Sequence, residues 1–199
     1  MSVIGVLALQ GDFREHANVL RTTGCETKEI RLPEQLNSID GLIIPGGEST
    51  TIAQLMGTFG FVDKVKQLVR DGMPIWGTCA GMIVLARKLD GDRPEPLGLI
   101  DIEVERNAFG RQIDSFETMI SVPVLGSEPF RGVFIRAPII RGIGSGVKII
   151  AKISETSKPD EQVVAAKQDN ILVTSFHPEL TDDPRFHDYF STMISGVSN

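Results

Sequence analysis

Cysteine is scarce in this chain. Its two residues, Cys25 and Cys79, lack the spacing of a disulfide framework or a thiolate metal site. Both are therefore expected as free thiols, as in a cytoplasmic protein. No apolar run approaches the roughly 20 residues that span a bilayer, and the first, residues 3–9, reads as a buried strand. The N-terminal stretch has neither a basic leader nor a small-residue cleavage site, so no signal peptide is expected. Runs of Lys or Arg are missing, and the net charge is −6. Neither nucleic acid nor an anionic membrane is an expected partner, because phosphate-rich surfaces select basic patches. There is no P-loop pattern, internal repeat or low-complexity tract. Histidine is also rare: His16, His177 and His187 complete the list of neutral-pH bases.

What is present is ordinary globular composition, 41% apolar and 23% charged over 199 residues, which predicts one domain over 1–199. Through the first half, apolar runs alternate with helical spacing. Residues 3–9, 25–31, 41–44 and 74–76 read as strands, and 13–22, 49–56, 62–69 and 80–89 as helices. Short links between them predict parallel strands joined by right-handed crossovers. The second half is β-rich, with strands expected at 99–105, 117–123, 132–136, 147–153, 162–167 and 171–176, before a last helix near 184–194. The expected fold is α/β: a layered, mostly parallel central sheet flanked by helices, with antiparallel additions.

Chemistry concentrates in three short stretches. The first is Trp76-Gly77-Thr78-Cys79-Ala80-Gly81-Met82. Its G-x-C-x-G form matches a strand-to-helix nucleophile elbow with cysteine in place of serine. A sharp turn forces the nucleophile's backbone into strain, and side chains two before and two after it would collide. A cysteine at a helix start faces unpaired N–H groups that favour the thiolate, and the N–H of Ala80 is placed to bind an oxyanion. The plainer reading is a buried cysteine in a packed turn.

The second stretch, Ser175-Phe176-His177-Pro178-Glu179-Leu180, follows a strand. His177 falls where catalytic groups collect in open α/β sheets. Glu179, two residues on, would face the same side of an extended chain and could orient the imidazole as a base. The third, Pro45-Gly46-Gly47-Glu48-Ser49-Thr50, pairs glycines that let backbone N–H groups approach a ligand, with Ser49 or Thr50 capping the next helix. Glu48 would repel a phosphate, which favours an oxyanion hole beside an amine-binding carboxylate.

PGGEST, WGTCAGM and SFHPEL, in this order, resemble a class I triad glutamine amidotransferase, a flavodoxin-like fold. LALQGDFREH, VERNAFGRQIDSFE and VFIRAP narrow the resemblance to the glutaminase subunit of pyridoxal 5′-phosphate synthase, the PdxT type, over nearly the whole chain. The resemblance implies hydrolysis of L-glutamine to glutamate and ammonia without metal or organic cofactor, and ammonia delivery to a synthase subunit. It implies Cys79 as nucleophile, His177 as general base and acid, Glu179 as orienter, and backbone N–H groups of Gly47 and Ala80 as oxyanion hole. Substrate would be held by Gly47, Glu48 and Ser49, with Glu48 at its ammonium, and by Arg106, Ile135 and Arg136. Either arginine could take the α-carboxylate in a two-pronged bond or sit in a structural ion pair. Gln10 matches a family residue near the synthase contact.

The other candidates read as bland. Cys25 is expected as a packing residue, His16 as partner-facing at most, and His187 as solvent-facing on the last helix. Two rivals share the motifs: a glutaminase subunit of another pathway, such as imidazole glycerol phosphate formation, and a non-enzymatic thiol sensor on the same fold.

Overall fold

A computed structural model describes residues 2–91, 93–106, 115–154 and 161–197. Positions 107–112 of the ERNAFGRQ stretch lie outside the described residues. In chain order the elements of the first half are β1 (Val3–Leu7), α1 (Phe13–Thr22), β2 (Glu26–Ile30), β3 (Gly41–Ile44), α2 (Ser49–Thr58), α3 (Phe61–Arg70), β4 (Ile75–Thr78) and α4 (Ala80–Leu85). There follow β5 (Ala86–Leu89), β6 (Ile100–Glu105), β7 (Ser115–Ile120), β8 (Phe130–Ile135) and β9 (Ile139–Ile143). The chain ends with β10 (Lys148–Ile153), β11 (Gln162–Gln168), β12 (Ile171–Thr174) and α5 (Arg185–Val197).

The main sheet runs β2-β1-β3-β4-β12-β11-β9-β6-β5, with β10 on β11, while β7 and β8 form a separate ribbon. From β2 to β12 the pairing is parallel, and from β12 through β11 and β9 to β6 it is antiparallel. The central strands Gly41-Leu42-Ile43-Ile44, Ile75-Trp76-Gly77-Thr78 and Ile171-Leu172-Val173-Thr174 are buried at every residue. That is why they read as continuous apolar runs: strands covered on both faces have no solvent side to alternate with. One face is packed by α2, α3 and α4 through Ile52, Met56, Phe61, Val65 and Ile83. The other is packed by α1 and α5 through Ala17, Leu20, Phe186, Phe190 and Ile194. In α3 the buried residues Phe61, Val65 and Val69 fall four apart, one stripe of an amphipathic helix.

Two segments depart from the sequence reading. The helix expected over 80–89 stops at Leu85, and Ala86–Leu89 becomes strand, paired in parallel with β6. Alanine, arginine, lysine and leucine all favour helix, but pairing with β6 overrides that preference. Arg87 meets Asp101 at 2.7 Å and Lys88 meets Glu103 at 3.3 Å. Strand β9 was not anticipated; it links β6 to β11.

Because β1, β3, β4 and β12 are adjacent and parallel, their carboxyl ends open on one rim. The segments leaving that rim contain Gln10 to Asp12, Gly46 to Glu48, Cys79 and His177.

Candidate functional site

Cys79 stands between β4 and α4 with φ 48° and ψ −103°, a conformation uncommon for a residue with a side chain. The flanking glycines explain how the turn closes. A Cβ on Gly77 would lie 2.6 Å from the carbonyl carbon of Gly81, and one on Gly81 would lie 2.9 Å from that of Ile44. The turn is fixed by the Cys79 N–H donating to the Thr174 carbonyl at 2.8 Å. Cys79 is 7% exposed, and its sulfur lies 3.9 Å from the Ile135 carbonyl.

His177 is anchored by its own N–H, which donates to Val133 at 2.8 Å. The chain then curls into a short 3-10 turn over Pro178–Leu180, instead of the extended run expected, and this turn brings Glu179 under the ring. His177 Nδ1 and Glu179 Oε1 are 2.7 Å apart. Asp12 Oδ2 reaches the same nitrogen at 3.4 Å. A Cβ on Gly46 would lie 2.9 Å from His177 Nδ1, so the imidazole packs against a backbone that must be glycine. Burial disfavours the imidazolium, but hydrogen bonds with Asp12, Cys79 and Glu179, and the Glu179 charge, outweigh it and raise the His177 pKa. Burial raises the Glu179 pKa, and the hydrogen bond and charge of His177 oppose that rise. Cys79 and His177, 98 positions apart in the sequence, are thus near enough that the Cys79 side chain is among the groups that raise the His177 pKa.

The Gly46-Gly47 turn interlocks with the loop after β1. Asp12 N–H donates to the Gly46 carbonyl at 3.0 Å, and Glu48 N–H donates to Gln10 Oε1 at 2.8 Å. Gly47 has φ 152°, and a Cβ there would lie 2.9 Å from the Gly11 Cα. The cap of α2 is Glu48, and neither Ser49 nor Thr50 takes that part: the Glu48 carboxylate accepts from Thr50 N–H at 3.0 Å, Thr51 N–H at 2.7 Å and the Thr51 hydroxyl at 2.7 Å. Slight burial pushes its pKa up, yet the hydrogen bonds from Thr51 and Thr50 dominate and hold it at about 2.

A cleft of about 560 Å³ gathers these groups. Cys79, Ala80, His177, Gly47, Glu48, Ser49, Arg106, Ile135 and Arg136 all line it, whereas Glu179 and Gln10 do not. Arg106 donates to the Arg93 carbonyl at 2.6 Å and lies 4.0 Å from Glu48. Arg136 sits at φ 44°, a second strained position on the same cleft. Two cationic and two anionic side chains, Arg106, Arg136, Asp12 and Glu48, therefore bracket a thiol. This is the charge pattern for a zwitterion whose far end reaches a nucleophile. Ligand atoms of Asp12, His177 and Glu179 also lie within 4.8 Å of one another, as in a metal site. Those of His177 and Glu179 are already joined by the 2.7 Å bond.

A family profile described as the SNO glutamine amidotransferase family matches residues 6–196. The chain belongs to that family. A pyridoxal 5′-phosphate synthase subunit PdxT of Dehalococcoides mccartyi is 56% identical over 192 residues, 96% of each chain. Another, of Carboxydothermus hydrogenoformans, is 52% identical over 187 residues, 94% of this chain and 95% of that one. A crystal structure of a glutamine amidotransferase superposes with a TM-score of 0.89 at 46% identity, covering 96% of this chain and 98% of the other.

In this amidotransferase the sequence reading missed one neighbour of the triad candidates and misplaced two. Asp12 lies within LALQGDFREH but was given no role there, although it reaches His177. His16 and His187 are neither partner-facing nor solvent-facing: both are fully buried. His16 Nδ1 is 2.9 Å from His187 Nε2, and His16 Nε2 is 3.3 Å from Glu179 Oε2. Trp76 lies edge-on to both rings, at 5.6 and 5.0 Å between centroids, and this packing closes the pair off from water. Cys25 is half-buried beside Ser191, as a packing residue would be. Among the described residues no helix is long and apolar enough to cross a membrane.

Proposed function

We propose that this chain is the glutaminase subunit of a pyridoxal 5′-phosphate synthase. It acts as one cytoplasmic domain that hydrolyses L-glutamine and passes ammonia to a synthase subunit. The observation that carries the catalytic reading is the strained Cys79 turn in one cleft with His177, whose Nδ1 is 2.7 Å from Glu179.

The raised His177 pKa favours a resting thiolate–imidazolium pair. The Cys79 thiolate adds to the side-chain carbonyl carbon of glutamine, and the resulting oxyanion is received by backbone N–H groups of Gly47 and Ala80. The C–N bond breaks as the imidazolium gives its proton to the leaving nitrogen, releasing ammonia and leaving a thioester and neutral His177. Water then adds to the thioester while His177 takes its proton. Collapse expels the thiolate and frees glutamate, whose new carboxyl ionises in solvent. Glu179 keeps the imidazole turned so that Nε2 faces the sulfur. Arg106 and Arg136 suit the substrate carboxylate, and Asp12 and Glu48 suit its ammonium. Gln10, which holds Glu48 N–H, sits where a docking partner could reach the Gly46-Gly47 turn.

The test is glutamate release with and without the cognate synthase subunit. Wild type is expected to be stimulated by it, and Cys79→Ala to release none while still binding the partner. Turnover near wild type in Cys79→Ala would refute the triad.

A further inference from the structure

Glu179 presents two buried oxygens, and the triad uses one. Oε1 faces His177, while Oε2 has no well-aligned hydrogen bond among the described residues; its ion-pair neighbour is His16 Nε2 at 3.3 Å. An unsolvated, unpaired oxygen would drive this carboxylate to take up a proton, and a neutral acid would no longer accept from His177. We propose that His16, fixed by His187, is a positioning residue that donates Nε2–H to Glu179 and keeps it an anion aimed at His177. This rests on the Cys79–His177–Glu179 reading above.

The direction of the proton follows from the partners. One proton lies between His16 Nδ1 and His187 Nε2, 2.9 Å apart. If His16 carried it, the bare Nε2 of His16 would face a carboxylate. His187 would then hold its proton on Nδ1, a buried atom with no partner among the described residues. If His187 carries it, His16 Nδ1 accepts, and His16 Nε2–H is shared between Glu179 Oε2 and the Thr78 hydroxyl at 3.0 Å. The second arrangement has no lone pair against an anion and orphans only an acceptor, so it is preferred.

Among the described residues, the groups that meet His16 come from three parts of the fold. His187 comes from α5, Thr78 and Trp76 from β4, and Glu179 and His177 from the segment after β12. Burial first, then the neighbouring His187 and His177, hold His16 in its neutral form, and burial does the same for His187. Both rings can therefore serve as fixed dipoles across the neutral range.

Histidine-selective ¹⁵N labelling tests the assignment in the wild-type chain, which has three histidines to resolve. At pH 7, His16 and His187 are each expected neutral with the proton on Nε2. A His16 proton on Nδ1 would overturn the proposal. In glutamate-release assays with the synthase subunit present, His16→Met should lose about 10–100-fold in kcat with little change in KM. His16→Gln, whose amide nitrogen can stand where Nε2 does, should recover most of that loss. Equal rates in the two variants would overturn it. Should His16→Met not fold, the wild-type tautomers still decide. Activity in Cys79→Ala would instead sink the triad itself, whereas a dead Cys79→Ala beside an unaffected His16→Met would sink only the role of His16.

Discussion

Gly77 and Gly81 touch across the turn that carries Cys79, close enough that a Cβ on the first would lie 2.6 Å from the carbonyl carbon of the second. Neither position has room for a methyl group, because the obstructing atoms are backbone and cannot rotate away. Gly77→Ala and Gly81→Ala should each destabilise the fold by about 1–3 kcal/mol, the usual range for overpacking. Urea denaturation measures this, and glutaminase activity should fall further than stability does. A variant as stable as wild type would show that the turn is looser than described.

The strain at Cys79 separates function from stability. A left-handed backbone costs a residue with a Cβ about 1–2 kcal/mol, and glycine is exempt. Cys79→Gly should therefore be more stable than Cys79→Ala by about 1 kcal/mol, after allowing for glycine's freer unfolded chain. Both should be inactive. Thermal denaturation of the two variants side by side provides the comparison.

Glu48 has two claims on it, as cap of α2 and as a wall of the cleft. Glu48→Ala removes the cap and should cost about 1 kcal/mol of stability. Glu48→Gln keeps an oxygen acceptor for Thr50 and Thr51 but loses the charge. It should retain most of that stability while raising KM for glutamine, if the carboxylate meets the substrate ammonium. An unchanged KM in Glu48→Gln would confine the residue to capping.

Acid should weaken the fold through the His16–His187 pair, both held neutral by burial. His187 titrates at about 3 in the folded chain, because burial opposes its charge, against 6.5 when unfolded. A depressed value means that the stability is present above pH 6.5 and drains away as pH falls toward 3. In that window the unfolded chain binds one more proton at this site, a slope of about 1.4 kcal/mol per pH unit. His187→Phe removes that proton. Its free energy of unfolding should vary less steeply than wild type between pH 6 and pH 4, by about that amount. Parallel curves would contradict a neutral, buried His187.

The residues of the candidate site were more legible in the sequence than the scaffold around them, for physical reasons. Cys79, His177 and the Gly46-Gly47 turn were readable because a tight turn leaves its mark locally, as glycines at fixed offsets. Glu179 does meet the imidazole, but through a 3-10 turn and not through the extended chain that the sequence reading expects. Ala86–Leu89 was misread because its residues favour helix, and only its distant partner β6 makes it a strand. His16 and His187 were misjudged because a polar side chain on a helix reads as exposed. What buries them is Trp76 and the aromatic residues around it, supplied by other elements. Glu48 as a cap was missed because the serine and threonines beside it are the commoner cap residues.

All three imidazoles are inside, none more than 4% exposed. The described exterior therefore offers no histidine to take up or release protons between about pH 5 and 8. The chain's formal charge of −6 should stay nearly constant over that span. Electrophoretic mobility and the charge met by an approaching partner would then be the same in a mildly acidic compartment as in a mildly alkaline one. Proton sensitivity in this molecule belongs to groups held inside it, above all the His16–His187 pair behind the rim.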